Sequence, residues 1–310
     1  MSQIKAWKLI SLFCLVSLLM GCESKEEQLK QTIQQSIEKA EVELNQLGTA
    51  LDNGSLRNAT ILKQYGKVLA EQQPQLSEIA RVISLDATRE GAIYSGLTQR
   101  LADVKSTYLI PPYEDTLHQL DLIRDAAKPS LFQDALTDPI NMLADMSQGS
   151  LARVGAVSEA AEGESVGNQL VGNPNYGQWQ TNSSGTSFWV WYGMYRMLGD
   201  VFDRVEYGRW SRHRKYSYYN DYGRYRYSSP KQIKAQQTVE TRTHQSYQRQ
   251  GKQFTSPYAK KRSGASGLSR SSYTPPRTRS SYASSSSYSK SSGSLRNSSS
   301  RTSRGISRGK

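Results

Sequence analysis

The sequence predicts a mainly α-helical protein: an amphipathic helical bundle or coiled-coil-like body, then a small aromatic-rich module and a long disordered basic tail. Three observations predict it. Apolar residues recur at helical spacing from Leu29 to Met146, Trp and Tyr concentrate between Trp179 and Tyr227, and the last acidic residue is Glu240. Charge divides the chain the same way: residues 1–22 carry a net +2, residues 23–165 a net −9 and residues 166–310 a net +20, within a formal charge of +13 over 310 residues. Only 36% of residues are hydrophobic, and enough apolar material for a core is expected only in the middle segment.

The N-terminus reads as an export signal. Lys5 and Lys8 form a positive region, and Leu9–Met20 then runs twelve residues without a charge, which suits a signal peptide and is too short to span a bilayer. Leu19-Met20-Gly21-Cys22 follows. This resembles the lipobox of bacterial lipoproteins, with Leu three positions before the cysteine and a small residue just before it. The resemblance implies cleavage after Gly21, a diacylglycerol thioether on Cys22 and acylation of the new amino terminus, with palmitate among the acyl chains. Several acyl chains on one cysteine hold a protein firmly where one holds it only marginally. Glu23-Ser24 in place of an aspartate implies, in a Gram-negative host, the outer membrane rather than the inner one. Cys14 lies in the removed segment, so the mature chain keeps only a blocked Cys22 and has no disulfide or cysteine-based zinc site.

Residues 22–162 form the helical body. Leu29, Ile33, Ile37, Ala40, Leu44 and Leu47 fall three or four apart and make one stripe. Asn53-Gly54 is a turn. Further runs carry Ala59, Leu62, Tyr65 and Leu69, then Leu76 to Ala87, then Leu97 to Tyr108, which ends at Pro111-Pro112. Runs through Tyr113–Ile123 and Leu131–Met146 follow, with a weaker one over 151–161. No stretch alternates long enough to indicate a strand. His118 lies four after Glu114 and three after Asp115; without a second ligand pair it reads as solvated or locally hydrogen-bonded. Phosphate-loop, nucleophile-elbow and zinc-protease motifs are missing from the sequence.

Residues 163–185 have a Gly/Asn/Ser linker composition, and residues 186–240 form the aromatic module. Four of five tryptophans lie between Trp179 and Trp210, and nine of nineteen tyrosines between Tyr192 and Tyr227. Three readings compete. Phe188, Trp189, Trp191, Tyr192, Tyr195 and Trp210 are candidate contacts for a membrane interface or a protein partner. The module is alternatively a cap folded back on the body, or its Arg/Tyr run from Gly208 to Tyr227 is a polyanion surface. An enzyme alternative rests on Asp200, Asp203, Glu206 and His213, which match no known constellation. His244 reads as a solvated residue.

Residues 241–310 form the tail. After Glu240 the chain carries 15 Lys or Arg and no acid, and 20 of the 48 residues from Ser263 onward are serine. So little apolar surface cannot offset the backbone entropy of folding, which predicts disorder. Export leaves anionic lipid, lipopolysaccharide, acidic glycan or extracellular DNA as candidate partners. The whole layout resembles that of bacterial envelope lipoproteins without assigned activity. It implies a non-enzymatic, lipid-anchored spacer or binding platform; the alternatives are an envelope enzyme and an oligomeric scaffold built on the helical stripe.

Overall fold

In the computed structural model, which describes residues 24–154, 167–214 and 216–259, the long first helix sets the frame. Helix α1 (Lys25–Asp52) is 28 residues long, about 42 Å at 1.5 Å per residue. The Ser24 hydroxyl caps it by accepting the Glu27 amide at 3.2 Å, and Glu26 and Glu27 sit in the first turn, where the helix dipole favours acids. Its stripe of Ile33, Ile37, Ala40, Leu44, Leu47 and Leu51 is buried, as the spacing predicts.

The other body helices follow the predicted runs. They are α2 (Arg57–Gln72), α3 (Ser77–Ser84), α4 (Ala92–Thr107), α5 (Tyr113–Ala127), α6 (Pro129–Ala135) and α7 (Thr137–Met146). α1 packs on α4 and α5, while α2 packs on α3 and α7. The Tyr94 hydroxyl donates to the Leu44 carbonyl at 3.1 Å, and Arg124 pairs with Glu43 at 2.7 Å. Gly66 lets α2 and α3 touch, since a Cβ there would run into the Ser84 hydroxyl and lie 3.1 Å from the Ala80 carbonyl. Of the weak run over 151–161, residues 151–154 are not helical and the rest lies outside the described residues. There Val154 and Asn141 exchange two hydrogen bonds, 2.8 and 2.9 Å.

The second half departs from expectation in three places. Residues 177–191 form a β-hairpin where no strand was expected: β1 (Gly177–Thr181) pairs antiparallel with β2 (Ser187–Trp191), Trp179 facing Trp189. The strands are five residues each, and Ser-Phe-Trp-Val-Trp is apolar on both faces, so the period of two is masked in the sequence. The expected linker is partly folded as well: Gln169, Leu170, Val171, Asn173 and Tyr176 are buried. Its glycines supply turns rather than slack, Gly172 at φ +89° among them.

Short helices α8 (Leu198–Val201), α9 (Tyr207–His213) and α10 (Arg224–Tyr227) follow, with a π-helical turn at Tyr219–Gly223. The third departure is α11 (Pro230–Arg249), which runs through the expected boundary at residue 240. Ser229 and Gln232 form a reciprocal capping box with Pro230 at the first helical position, a strong start signal in a segment too polar to read as a helix by periodicity. Body and module share one hydrophobic core rather than forming separate units. The expected signal segment with Cys22, and residues 260–310 of the expected tail, lie outside the described residues.

Phe132 is fully buried in that core, so Phe132→Ala lowers unfolding free energy by about 3–5 kcal/mol in urea titration. Ser229→Ala removes only a cap and costs about 0.5–2 kcal/mol in the same measurement.

Candidate functional site

The aromatic module is attached to the body by two buried carboxylates. Asp86 follows α3 in a short 3₁₀ turn and lies six residues before α4, where its Oδ1 accepts the Ala92 amide at 2.8 Å. The module supplies its other donors: the Tyr176 hydroxyl to Oδ2 at 2.9 Å and the Tyr195 hydroxyl to Oδ1 at 3.2 Å. The two tyrosine rings meet edge to face, 5.0 Å apart. Asp138 sits in the first turn of α7. Its Oδ1 accepts the Tyr218 amide at 2.8 Å, and its Oδ2 accepts the Ser217 hydroxyl at 2.8 Å and the Tyr219 amide at 3.1 Å.

Burial pushes each carboxyl up to about 7, against the pull of those donors. These partners are all donors fixed within the fold, so both groups act as staples.

Three arginines that the sequence offered to a polyanion are buried instead. Arg214 pairs with Asp221 at 2.6 Å, their side chains 1% and 0% exposed, and also donates to the Pro257 carbonyl. The Arg224 guanidinium donates to Gln236 Oε1 at 2.6 Å and stacks 3.8 Å over the Tyr258 ring. The Arg226 carbonyl accepts from Arg100 of α4, whose other arm donates to Gln119 at 2.5 Å. Those guanidiniums are unavailable to phosphates, which corrects the polyanion reading at these positions.

The candidate contact residues need a similar correction. Trp189, Trp191, Tyr195 and Trp210 are buried and Phe188 is half-buried beneath Arg204, whose guanidinium lies 3.7 Å over its ring. Trp179 joins Trp189, Tyr207 and Trp210 at ring separations of 5.1, 4.8 and 5.2 Å. Only Tyr192, 40% exposed, faces solvent as an interfacial residue would. The geometry is that of the cap.

Asp200, Asp203, Glu206 and His213 are all exposed and do not converge on one another. Among the described residues no cluster of His, Cys, Asp and Glu is arranged to hold a metal ion. His118 is half-buried on α5, and burial lowers its pKa. His244 lies 6.3 Å from the Phe254 ring. Asp86 and Asp138 were not singled out in the sequence. Their only signal was position, an acid inside the apolar run Ile83–Ala87 and one just ahead of Pro139-Ile140.

Comparison with protein families, with characterised proteins and with solved structures finds no match.

The staples fix the sign of a pH dependence. Each folded carboxyl binds its proton more tightly than an unfolded aspartate near 3.8, so their contribution is full below pH about 4 and is lost as pH rises through about 7. His118 works in the opposite direction. The unfolding free energy from urea titration therefore falls between pH about 4 and about 7, by an amount on the order of a few kcal/mol, and Asp86→Ala flattens that slope.

Proposed function

We propose that this chain is a lipid-anchored, non-enzymatic protein of the bacterial cell envelope, whose folded domain is a platform that presents a cationic tail to anionic envelope polymers or lipids. The observation that carries the reading is the succession Leu19-Met20-Gly21-Cys22 followed at once by the capped start of α1 at Ser24. A cleaved signal with a lipobox and a folded domain beginning two residues later is the layout of a protein held close to a membrane. Glu23-Ser24 supports the outer membrane as the destination.

The tail's attachment supports the rest. The last described residues are held to the module: Pro257 by buried Arg214, Tyr258 beneath Arg224, and Phe254 against Tyr247 and His244. The basic segment from 260 therefore leaves from a fixed point on the domain. Its 12 Lys or Arg and no acids make attraction to phosphate or acidic sugar nonspecific and salt-sensitive.

Mass spectrometry of the mature protein should find a diacylglycerol thioether and an acylated amine on Cys22, and Cys22→Ser should abolish palmitate incorporation; an unmodified cysteine overturns the reading. Binding of the full chain to lipopolysaccharide or duplex DNA should weaken at least about tenfold between roughly 0.05 and 0.2 M salt. A variant ending at Ala259 should lose that binding.

A further inference from the structure

The α4–α5 connection is the one strongly apolar tip on the described surface. Leu109 is 55% and Ile110 63% exposed, the two highest values among the large hydrophobic side chains, and they are adjacent. Pro111 and Pro112 beside them are exposed too. From Ser106 to Tyr113 the chain carries no charge.

This tip sits at the end of the bundle from which the lipid anchor departs. The Tyr113 hydroxyl donates to Glu26 Oε1 at 3.0 Å in the first turn of α1, and also reaches back to the Leu109 carbonyl at 3.4 Å. Lys30 lies 5.8 Å over the same ring and pairs with Glu26 at 2.9 Å. Ser24 caps that turn, and Cys22 is two residues before it, so the chain's covalent reach separates them by at most about 7 Å.

We propose that Leu109 and Ile110 insert into the bilayer leaflet that holds the acyl chains of Cys22, giving the domain a second, noncovalent membrane contact. The inference rests on the lipoprotein reading and adds an orientation to it.

The chemistry fits lipid at shallow depth. Two large aliphatic side chains at a tip gain by leaving water. The two prolines bring no amide hydrogens, so the turn carries fewer donors to strip of water. Tyr108 packs inward against the core and Tyr113 is tethered to Glu26, which braces the base of the turn. Around that base Lys25 and Lys30 stand among Glu26, Glu27, Glu114 and Asp115, so the tip has no excess of positive charge to draw it to anionic headgroups. The contact is apolar and insensitive to salt, unlike that of the tail. The module meets the body elsewhere, through Asp86, Asp138, Arg100 and Ala126, and leaves this tip open.

The test uses the mature, lipidated full chain reconstituted in phosphatidylethanolamine/phosphatidylglycerol vesicles. Ile110→Cys, and separately Leu109→Cys, is labelled with an environment-sensitive fluorophore; the Cys22 sulfur is blocked by its thioether. Val201→Cys on the module, at a site 49% exposed, is the comparison. Expected are blue-shifted emission and loss of most fluorescence to a spin-labelled lipid at 109 and 110, unchanged in high salt, with the label at 201 unquenched. Labels at 109 and 110 that are quenched no more than the one at 201, on protein whose Cys22 is shown by mass spectrometry to be acylated, overturn the inference and leave the anchor standing. An unacylated Cys22 overturns both.

Discussion

Two carboxylates with no access to water join the halves of this protein. Asp86 and Asp138 each belong to the helical body by backbone position, and each is completed by donors from the later chain: two tyrosine hydroxyls in one case, a serine hydroxyl and two amides in the other. Burying a carboxyl without such donors is severely unfavourable. Closing the module over the body takes both acids out of water, and the module's own donors compensate them there, while the module alone would expose its indoles. Each half completes the other, so one core forms from segments with opposite net charge.

Much of the body was legible. Amphipathic spacing marked α1, α2, α4 and α5, and Pro74 and Pro111-Pro112 marked helix ends, because a 3.6-residue stripe over three or more turns is a strong signal. The module was legible only as an anomaly of composition. A five-residue strand flanked by aromatic residues has too few positions for periodicity to show, and Gly/Asn/Ser-rich sequence reads the same whether it is a slack linker or a chain of tight turns. α11 was missed because it meets the core only through Gln236 and Val239, leaving no apolar stripe; its capping box was its clearest local mark.

The same physics explains why the proposed contact residues moved inside. Tryptophan and tyrosine at a membrane interface and in a small core share one property, a large apolar body with a single polar edge. Composition cannot separate the two uses; partners can. Tyr176, Tyr195 and Tyr227 all find acceptors within the fold, the last at the Ala126 and Leu131 carbonyls, and the Tyr219 hydroxyl accepts from Gln236. The surface feature went the other way: Leu109 and Ile110 stand exposed just past the end of α4, and only tertiary contact between Tyr113 and Glu26 sets their turn beside the start of α1.

The clamp on Pro257 and Tyr258 has a mechanical consequence. When the segment beyond residue 259 is pulled, the force enters the domain at the Arg214 and Arg224 guanidiniums before it can reach the end of α11. Arg214 passes it to Asp221, whose second acceptor contact is the Ser217 amide, and Ser217 is bound to Asp138 on α7. Traction is thus shared among several hydrogen bonds that lead down to the helical bundle, and the clamp stands between the pulled segment and the exposed end of α11.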